Sequence, residues 1–203
     1  MKLYVTPTSP YARLALIVRL EKGLADRVEL VWTRTRNPND PMLAINPSGR
    51  IPFLFLEDGT GYEDTDVIVP YLDNLVSPSK FELPGGEAYW PFRRLQAMAR
   101  SMLEGVSVWA REILRPKNEQ SPGIIEHERR RASRMADYFE SIIREPPLTG
   151  NLNTVQLTLF CALDVERRLP ALNWRTGRPR LVNWYTRMLD VPSVSQSEPP
   201  PSV

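Results

Sequence analysis

Cysteine is almost absent from the sequence, which contains only Cys161. A single thiol excludes a disulfide within the chain and leaves nothing from which to build a cysteine metal cluster, so we expect no bound metal. So little cysteine also favours a reducing compartment. No uninterrupted apolar run approaches the roughly 20 residues of a transmembrane helix, and no apolar segment typical of a signal peptide follows Met1. We therefore expect a cytoplasmic protein with no membrane partner.

An excess of charge of either sign is also missing. The chain has 26 Lys and Arg residues against 24 Asp and Glu residues, a net charge of +2, whereas a nucleic-acid partner calls for a concentrated basic surface. We therefore expect no nucleic-acid partner. The rest of the composition is ordinary for a globular protein, since 42% of the 203 residues are hydrophobic and 25% are charged. This length suffices for one good core or two small ones.

The first 76 residues predict the order βαβ followed by ββα. Residues 2–6 form a short β-prone run, and Ser9-Pro10 then predicts a helix start. A hydroxyl caps free N–H groups there, and proline loses nothing at the first helical position. Residues 28–33 predict a second strand. The order strand, helix, strand favours a parallel pair with a right-handed crossover.

The densest local signals lie between residues 44 and 73. Residues 52–57 are apolar and short enough for a strand, and Asp58-Gly-Thr-Gly61 supplies a hairpin turn because glycine tolerates the positive φ of tight turns. Asp64-Thr65 then precedes apolar residues at helical spacing, with a capping side chain in front of them. We expect a strand, turn, strand, helix unit that is opened by Ile51-Pro52.

A segment rich in Pro, Gly and Ser separates this region from a helical one. Beyond it, apolar residues recur every three or four positions, first in a long amphipathic helix that contains Trp109, and Asn153 has the form of a helix cap. The Pro-rich tail from Pro192 is expected to be extended. The predicted domains are residues 1–76 and 87–203, joined by a linker at 77–86.

Three motifs stand out in this domain order: Thr8-Ser-Pro-Tyr-Ala-Arg13, Asn46-Pro-Ser-Gly-Arg-Ile-Pro52 and Asp64-Thr-Asp-Val-Ile-Val-Pro-Tyr-Leu-Asp73. Together they resemble those of the cytosolic glutathione transferase superfamily, and the chain looks most like its small bacterial members over essentially its full length. The resemblance implies the α/β plus all-α glutathione transferase fold, in which a thioredoxin-like domain precedes a C-terminal helical bundle. It also implies glutathione as the cosubstrate and a homodimer.

The resemblance places a glutathione-binding site on the second and third motifs. In the family, the proline at the Pro52 position follows a cis peptide bond, and the backbone of the residue before it, here Ile51, pairs with the cysteinyl part of glutathione. Asp64-Thr65 takes the place of the acidic-serine pair that holds the γ-glutamyl end. A hydroxyl beside free N–H groups at a helix N-terminus is a sound carboxylate site. The Asp64 carboxylate suits the ammonium group of the same end.

The resemblance also assigns Ser9 to catalysis, since some classes of the family carry a catalytic serine there. A hydrogen bond to the thiolate contributes roughly 1.5 to 3 kcal/mol, and a helix N-terminus adds about 0.3 to 1. Together they lower the pKa of the glutathione thiol from about 8.5 to roughly 5.5 to 7, so that a thiolate is available to attack an electrophile. Two alternatives stay open: Ser9 only caps its helix, or Tyr4 in the first strand takes the catalytic place.

Family members build their electrophile pocket from the long helix and the loop after the first strand, which makes Tyr11 and Trp109 candidate walls for a small hydrophobic electrophile. Such conjugation implies a role in detoxification. The rival interpretation is a non-catalytic glutathione-binding or regulatory protein that acts through a protein partner on the same fold. A glutathione-dependent reductase or peroxidase is disfavoured, because no cysteine stands near Ser9 to form a mixed disulfide. We expect His127, in a charged run, at the surface and Cys161 in the core.

Overall fold

The computed structural model describes residues 1–198, and these fall into two compact units. The first unit combines Met1–Glu82 with the C-terminal segment that begins at Pro192, and the second unit is Leu83–Val191. The chain therefore leaves the first unit after Glu82 and returns to it at Pro192. The domain bounds inferred from composition stay predictions. They did not include a return of the chain to the first unit.

The first unit contains a small mixed sheet and helices that pack on it. Its elements are β1 (Lys2–Val5), α1 (Pro10–Glu21), β2 (Glu29–Trp32), β3 (Phe53–Phe55), β4 (Gly61–Glu63) and α2 (Thr65–Asn74). The four strands lie in the order β2-β1-β3-β4. β1 pairs with β2 in parallel, and β3 pairs antiparallel with both β1 and β4. The predicted order βαβ followed by ββα is confirmed.

Helix α1 is buried along almost its whole length, although it carries two arginines. Buried charged groups must be hydrogen-bonded to be tolerated. The Arg19 guanidinium meets this need by donating from Nε to Val28 O at 2.7 Å and from Nη2 to Ala25 O at 2.8 Å. These bonds hold the C-terminal half of α1 to the segment that follows it.

The segment from Pro192 forms a short helix, α7 (Pro192–Gln196), which packs against α1. The prediction of an extended tail is therefore wrong for these residues. Proline is favoured at a helix start, and Val194 is completely buried, so apolar burial favours the helix docked on α1. Residues 199–203, the rest of the predicted tail, lie outside the described residues.

The second unit is helical, as predicted. Its elements are α3 (Tyr89–Ile113), α4 (Pro122–Ile142), α5 (Thr154–Asp164) and α6 (Pro179–Leu189). The long helix α3 packs against both α4 and α5. Asn153 caps α5 as predicted, since its Oδ1 accepts hydrogen bonds from Val155 N at 3.0 Å and Gln156 N at 3.1 Å. Within residues 1–198, no helix has both the length and the apolar character needed to cross a membrane.

Candidate functional site

The three predicted site segments leave the sheet at one edge. Tyr4 of β1 pairs with Phe53 of β3, and Phe53 pairs in turn with Glu63 of β4. Because β1 and β4 both run antiparallel to β3, the C-terminal ends of β1 and β4 lie beside the N-terminal end of β3. The segments that follow β1, precede β3 and follow β4 therefore start from the same edge, which brings the surroundings of Ser9, Ile51-Pro52 and Asp64-Thr65 together.

Ser9 lies at the N-terminus of α1 with its side chain partly exposed. Its Oγ accepts a hydrogen bond from Ala12 N at 3.1 Å, so the predicted cap is present. A serine hydroxyl has a donor proton as well as acceptor lone pairs, and among the described residues the Ser9 hydroxyl donates to no acceptor. Capping therefore does not prevent Ser9 from donating to a thiolate, and the two interpretations of this residue are compatible.

The Ile51-Pro52 peptide bond is cis, as the resemblance implies. Pro52, the residue directly before β3, is buried, while Ile51 is partly exposed. Neither the N–H nor the C=O of Ile51 forms a hydrogen bond with any residue in the described part of the chain. Free backbone groups in the residue that leads into a strand can pair with an extended peptide in the manner of an added strand.

The loop before this junction is held by Asn46, whose side chain is almost fully buried. Asn46 Nδ2 donates to Arg50 O at 2.8 Å, and its Oδ1 accepts from Ser48 Oγ at 2.9 Å. Ser48 Oγ in turn accepts from Arg50 N at 3.1 Å. The Asn46 side chain thus fixes the residues that lead into the cis bond, a role that the sequence analysis did not assign.

Replacing Asn46 with Ala is expected to lower the free energy of unfolding by about 1 to 3 kcal/mol, because a buried side chain that joins the Arg50 carbonyl to the Ser48 hydroxyl is lost. Urea unfolding followed by circular dichroism measures this difference. Asn39→Ala is the matched control, since Asn39 is exposed, and it should stay within about 0.5 kcal/mol of the wild type. Equal effects of the two substitutions would contradict the role of Asn46.

Asp64 caps the second helix of the site in an unusual backbone conformation. Its φ is +71°, which is rare for a residue other than glycine, and its carboxylate accepts from Asp66 N at 3.0 Å. Residues in such conformations cost about 1 to 3 kcal/mol and cluster at functional sites. Thr65, the first residue of α2, is buried. A carboxylate and a helix N-terminus therefore stand side by side, and such a pair suits a ligand end that carries both charges.

Arg50 is a further candidate that the sequence analysis missed. Its side chain is exposed directly before Ile51. Within residues 1–198 its guanidinium enters no hydrogen bond or ion pair, so it is available to a carboxylate. The signal in the sequence is a cation next to the predicted cis junction.

The remaining predicted residues lie in different surroundings. Tyr11, in the first turn of α1, is partly exposed, while Trp109 of α3 is only 2% exposed within the second unit. The Tyr4 ring packs 6.0 Å from the Phe53 ring, which is a structural contact. The His127 side chain is 69% exposed and Cys161 is buried, so both of these predictions are confirmed.

Comparisons with known proteins add a family context to this geometry. Residues 8–75 match the family model described as glutathione S-transferase, N-terminal domain. This range contains every predicted site residue from Ser9 to Thr65. The chain is also 28% identical over 203 residues to YibF, an uncharacterized GST-like protein of Escherichia coli (strain K12), with 98% of this chain and 99% of that protein covered.

Two solved structures resemble the whole described fold. One is a glutathione transferase family member from Pseudomonas fluorescens Pf-5 with bound S-(propanoic acid)-glutathione, with 28% identity, a TM-score of 0.84, and coverage of 98% of this chain and 100% of that chain. The other is a glutathione S-transferase from Methylobacillus flagellatus with glutathione bound, with 27% identity, a TM-score of 0.85, and coverage of 98% of this chain and 99% of that chain.

Proposed function

Because this chain belongs to the glutathione transferase superfamily, we propose that it binds glutathione at the sheet edge and conjugates the thiolate to a small hydrophobic electrophile. The observation that carries the proposal is the available N–H and C=O of Ile51, which bond to no residue in the described part of the chain, at the edge from which the capped helices α1 and α2 also start. Glutathione and S-(propanoic acid)-glutathione in the two similar structures support this cosubstrate.

Each part of glutathione has a complementary group in the proposed complex. The N–H and C=O of Ile51 pair with the cysteinyl residue as an added strand would. The N-terminus of α2 at Thr65 takes the γ-glutamyl carboxylate, and the Asp64 carboxylate takes the neighbouring ammonium group. The Arg50 guanidinium takes the glycyl carboxylate. A tripeptide bound in this way is anchored at both ends and in the middle.

Ser9 has the chemistry to stabilise the thiolate of the bound tripeptide. Its hydroxyl proton donates to the sulfur while its oxygen keeps the Ala12 N–H, and the N-terminus of α1 adds a partial positive charge. The thiol proton passes to solvent, and a sulfur lone pair then forms the bond to the electrophilic carbon. The carbon either releases its leaving group or, in an addition, passes its electron pair to the acceptor group.

The electrophile pocket has two candidate wall residues, Tyr11 and Trp109. Tyr11 is partly exposed in the first turn of α1 and is proposed as one wall. Trp109 is packed inside its own unit, so its place in a pocket remains a prediction. The homodimer and the detoxification role are likewise predictions from the resemblance, and the cytoplasmic location is a prediction from the cysteine content and the apolar runs of the sequence.

The decisive experiment is the ultraviolet absorbance of the thiolate of bound glutathione, titrated with pH. We expect the wild type to hold the thiolate with a pKa of roughly 5.5 to 7. Ser9→Ala should raise that pKa by about 1 to 2, because it removes the hydrogen bond to sulfur. Ser9→Asp keeps a capping side chain but cannot donate when ionised, so it should raise the pKa without the loss of stability expected for Ser9→Ala.

Thr8→Ala is the matched control, since Thr8 is exposed and its hydroxyl belongs to the residue directly before Ser9. The thiolate titration of this variant should equal that of the wild type. Bound glutathione without a thiolate near neutral pH would favour the non-catalytic glutathione-binding protein. Failure to bind glutathione at all would overturn both the transferase proposal and the non-catalytic glutathione-binding alternative. An unchanged titration in Ser9→Ala would remove Ser9 from the mechanism while leaving the transferase assignment in place.

A further inference from the structure

The N-terminal half of α1 is tied to the C-terminal end of the chain by one buried arginine. Arg13 lies one turn after Ser9, with Arg13 N donating to Ser9 O at 3.1 Å. Its side chain is 3% exposed. Arg13 Nε donates to Ser197 Oγ and Arg13 Nη2 donates to Val194 O, both at 3.2 Å. The residue that follows the proposed catalytic serine by one turn therefore holds α7 and the residue just after it.

The acceptors of these bonds are themselves fixed. Val194 is completely buried, and Ser193 and Ser197 are 5% and 3% exposed. Ser197 Oγ donates to Val194 O at 2.7 Å, and Ser197 N donates to Ser193 O at 3.1 Å. A cation near the last carbonyls of a helix also has the favourable sign for the helix dipole. The Arg13 guanidinium thus meets an ordered group of acceptors.

Two other buried cations, Arg19 in α1 and Lys22 directly after its last residue, hold the C-terminal half of the helix. Arg19 binds Val28 O and Ala25 O, and Lys22 binds Val76 O and Pro78 O, all within the first unit. Arg13 is therefore the cation that anchors the half of α1 whose N-terminus carries Ser9. A displacement of that half would move both the Ser9 hydroxyl and the helix N-terminus.

We propose that Arg13, through its contact with α7, is a positioning residue that keeps the first turn of α1 where Ser9 can stabilise the glutathione thiolate. The inference rests on the proposed function, but it adds the C-terminal segment to the glutathione site. Misplacing a reacting group by about 1 Å can cost on the order of a hundredfold in rate. The effect on the bound thiol should therefore exceed what a purely structural arginine would produce.

The test compares Arg13→Met with Arg19→Met in the full-length protein. Both substitutions remove a buried guanidinium from the same helix, so both should lower the thermal midpoint. We expect only Arg13→Met to move the thiolate titration of bound glutathione to higher pH, by about one pH unit, which is a tenfold loss of thiolate stabilisation. Arg13→Lys keeps a cationic donor but not the planar fork, so its titration should lie between those of Arg13→Met and the wild type.

Ser197→Ala is the milder second variant, since it removes the acceptor of Arg13 Nε and the short-range bond to Val194 O but keeps the guanidinium, and it should move the titration in the same direction by a smaller amount. A wild-type titration in a folded, glutathione-binding Arg13→Met protein would overturn the inference and leave the proposed function intact. If Arg13→Met does not fold, an unchanged titration in Ser197→Ala overturns it. Absence of a bound thiolate in the wild type would instead refute the proposed function itself.

Discussion

Replacing Lys22 with Met is expected to lower the free energy of unfolding by about 3 to 5 kcal/mol, the usual cost of removing one partner from a buried ion pair. Lys22 Nζ lies 2.9 Å from Asp73 Oδ1, and the two side chains are 2% and 3% exposed. The same ammonium group donates to Val76 O at 2.6 Å and to Pro78 O at 2.7 Å. Its loss leaves a buried carboxylate and two carbonyls without their cation.

The partner carboxylate binds the start of the segment that leaves the first unit. Asp73 accepts hydrogen bonds from the Ser79 hydroxyl, from Lys80 N at 2.9 Å and from Phe81 N at 2.9 Å. The Lys22–Asp73 pair therefore fastens residues 76–81 to α1 and α2. Chemical denaturation of Lys22→Met, Asp73→Asn and the double variant measures the coupling, and the double variant should lose clearly less than the sum of the single ones.

Breaking a more exposed ion pair in the same part of the first unit is the matched control. Lys80 Nζ lies 3.3 Å from Glu21 Oε2, with the lysine side chain 51% exposed, and exposed pairs contribute about 0 to 1 kcal/mol. Lys80→Met should therefore cost far less than Lys22→Met. Similar losses for the two lysine variants would show that the Lys22–Asp73 pair contributes no more than a surface contact.

The same pair predicts an acid dependence of stability. Burial acts to raise the pKa of Asp73, but the hydrogen bonds from Ser79 and from the other donors outweigh it and hold this pKa below its ordinary value. A lowered folded-state pKa contributes stability that is present above the unfolded value of about 3.9 and is lost as the pH falls through the folded value. The free energy of unfolding of Asp73→Asn should therefore fall less than that of the wild type as the pH is lowered through this range.

Replacing Arg178 with Met is expected to cost about 2 to 4 kcal/mol, because a buried guanidinium that joins the buried Trp174 carbonyl to acceptors on α4 is lost. Arg178 is 8% exposed just before α6. Its Nη1 donates to Trp174 O at 3.0 Å and to Thr176 O at 3.3 Å. Its Nη2 donates to Ser133 Oγ at 2.8 Å, and its Nε donates to Asp137 Oδ1 at 2.8 Å. One guanidinium thus joins the loop before α6 to α4.

Thermal and urea unfolding of the full-length variants measure this effect. Arg180→Met is the matched control, because Arg180 is exposed two residues further along the chain, and it should stay near the wild type. Arg178→Lys should recover only part of the loss, since an ammonium group cannot reproduce the fork of five donors. Full recovery by lysine would mean that charge alone, rather than the hydrogen-bond geometry, matters at this position.

Local signals in the sequence predicted much of the fold and the elements that carry the candidate site residues. Ser9-Pro10 and Asn153 have the side chains that helix starts require, and both start helices in the structure. Ile51-Pro52 and Asp64-Thr65 flank strands whose alternation and turn residues are recognisable over a few positions. Such features depend on neighbours in the chain, which is why a single sequence suffices to find them.

Contacts between distant residues were not predictable in the same way. Arg13 and Ser197 are 184 positions apart, and the five residues of α7 are too few to show a helical period. Arginine inside α1 also contradicts the expectation that charges mark a solvent face, because its partners come from elsewhere in the fold. Helical spacing favours a core position for Trp109, which is 2% exposed, but periodicity identifies only an apolar face and not what covers it.

The return of the chain at Pro192 has a consequence for how the protein is made. Domains generally fold in the order in which the ribosome releases them, but here the face of α1 that receives α7 stays uncovered until residues 192–196 emerge. The first unit begins to form early in synthesis and is completed only after every residue of the second unit has been translated. Its sheet and its capped helices must therefore persist with this face of α1 uncovered for as long as residues 83–191 take to be translated.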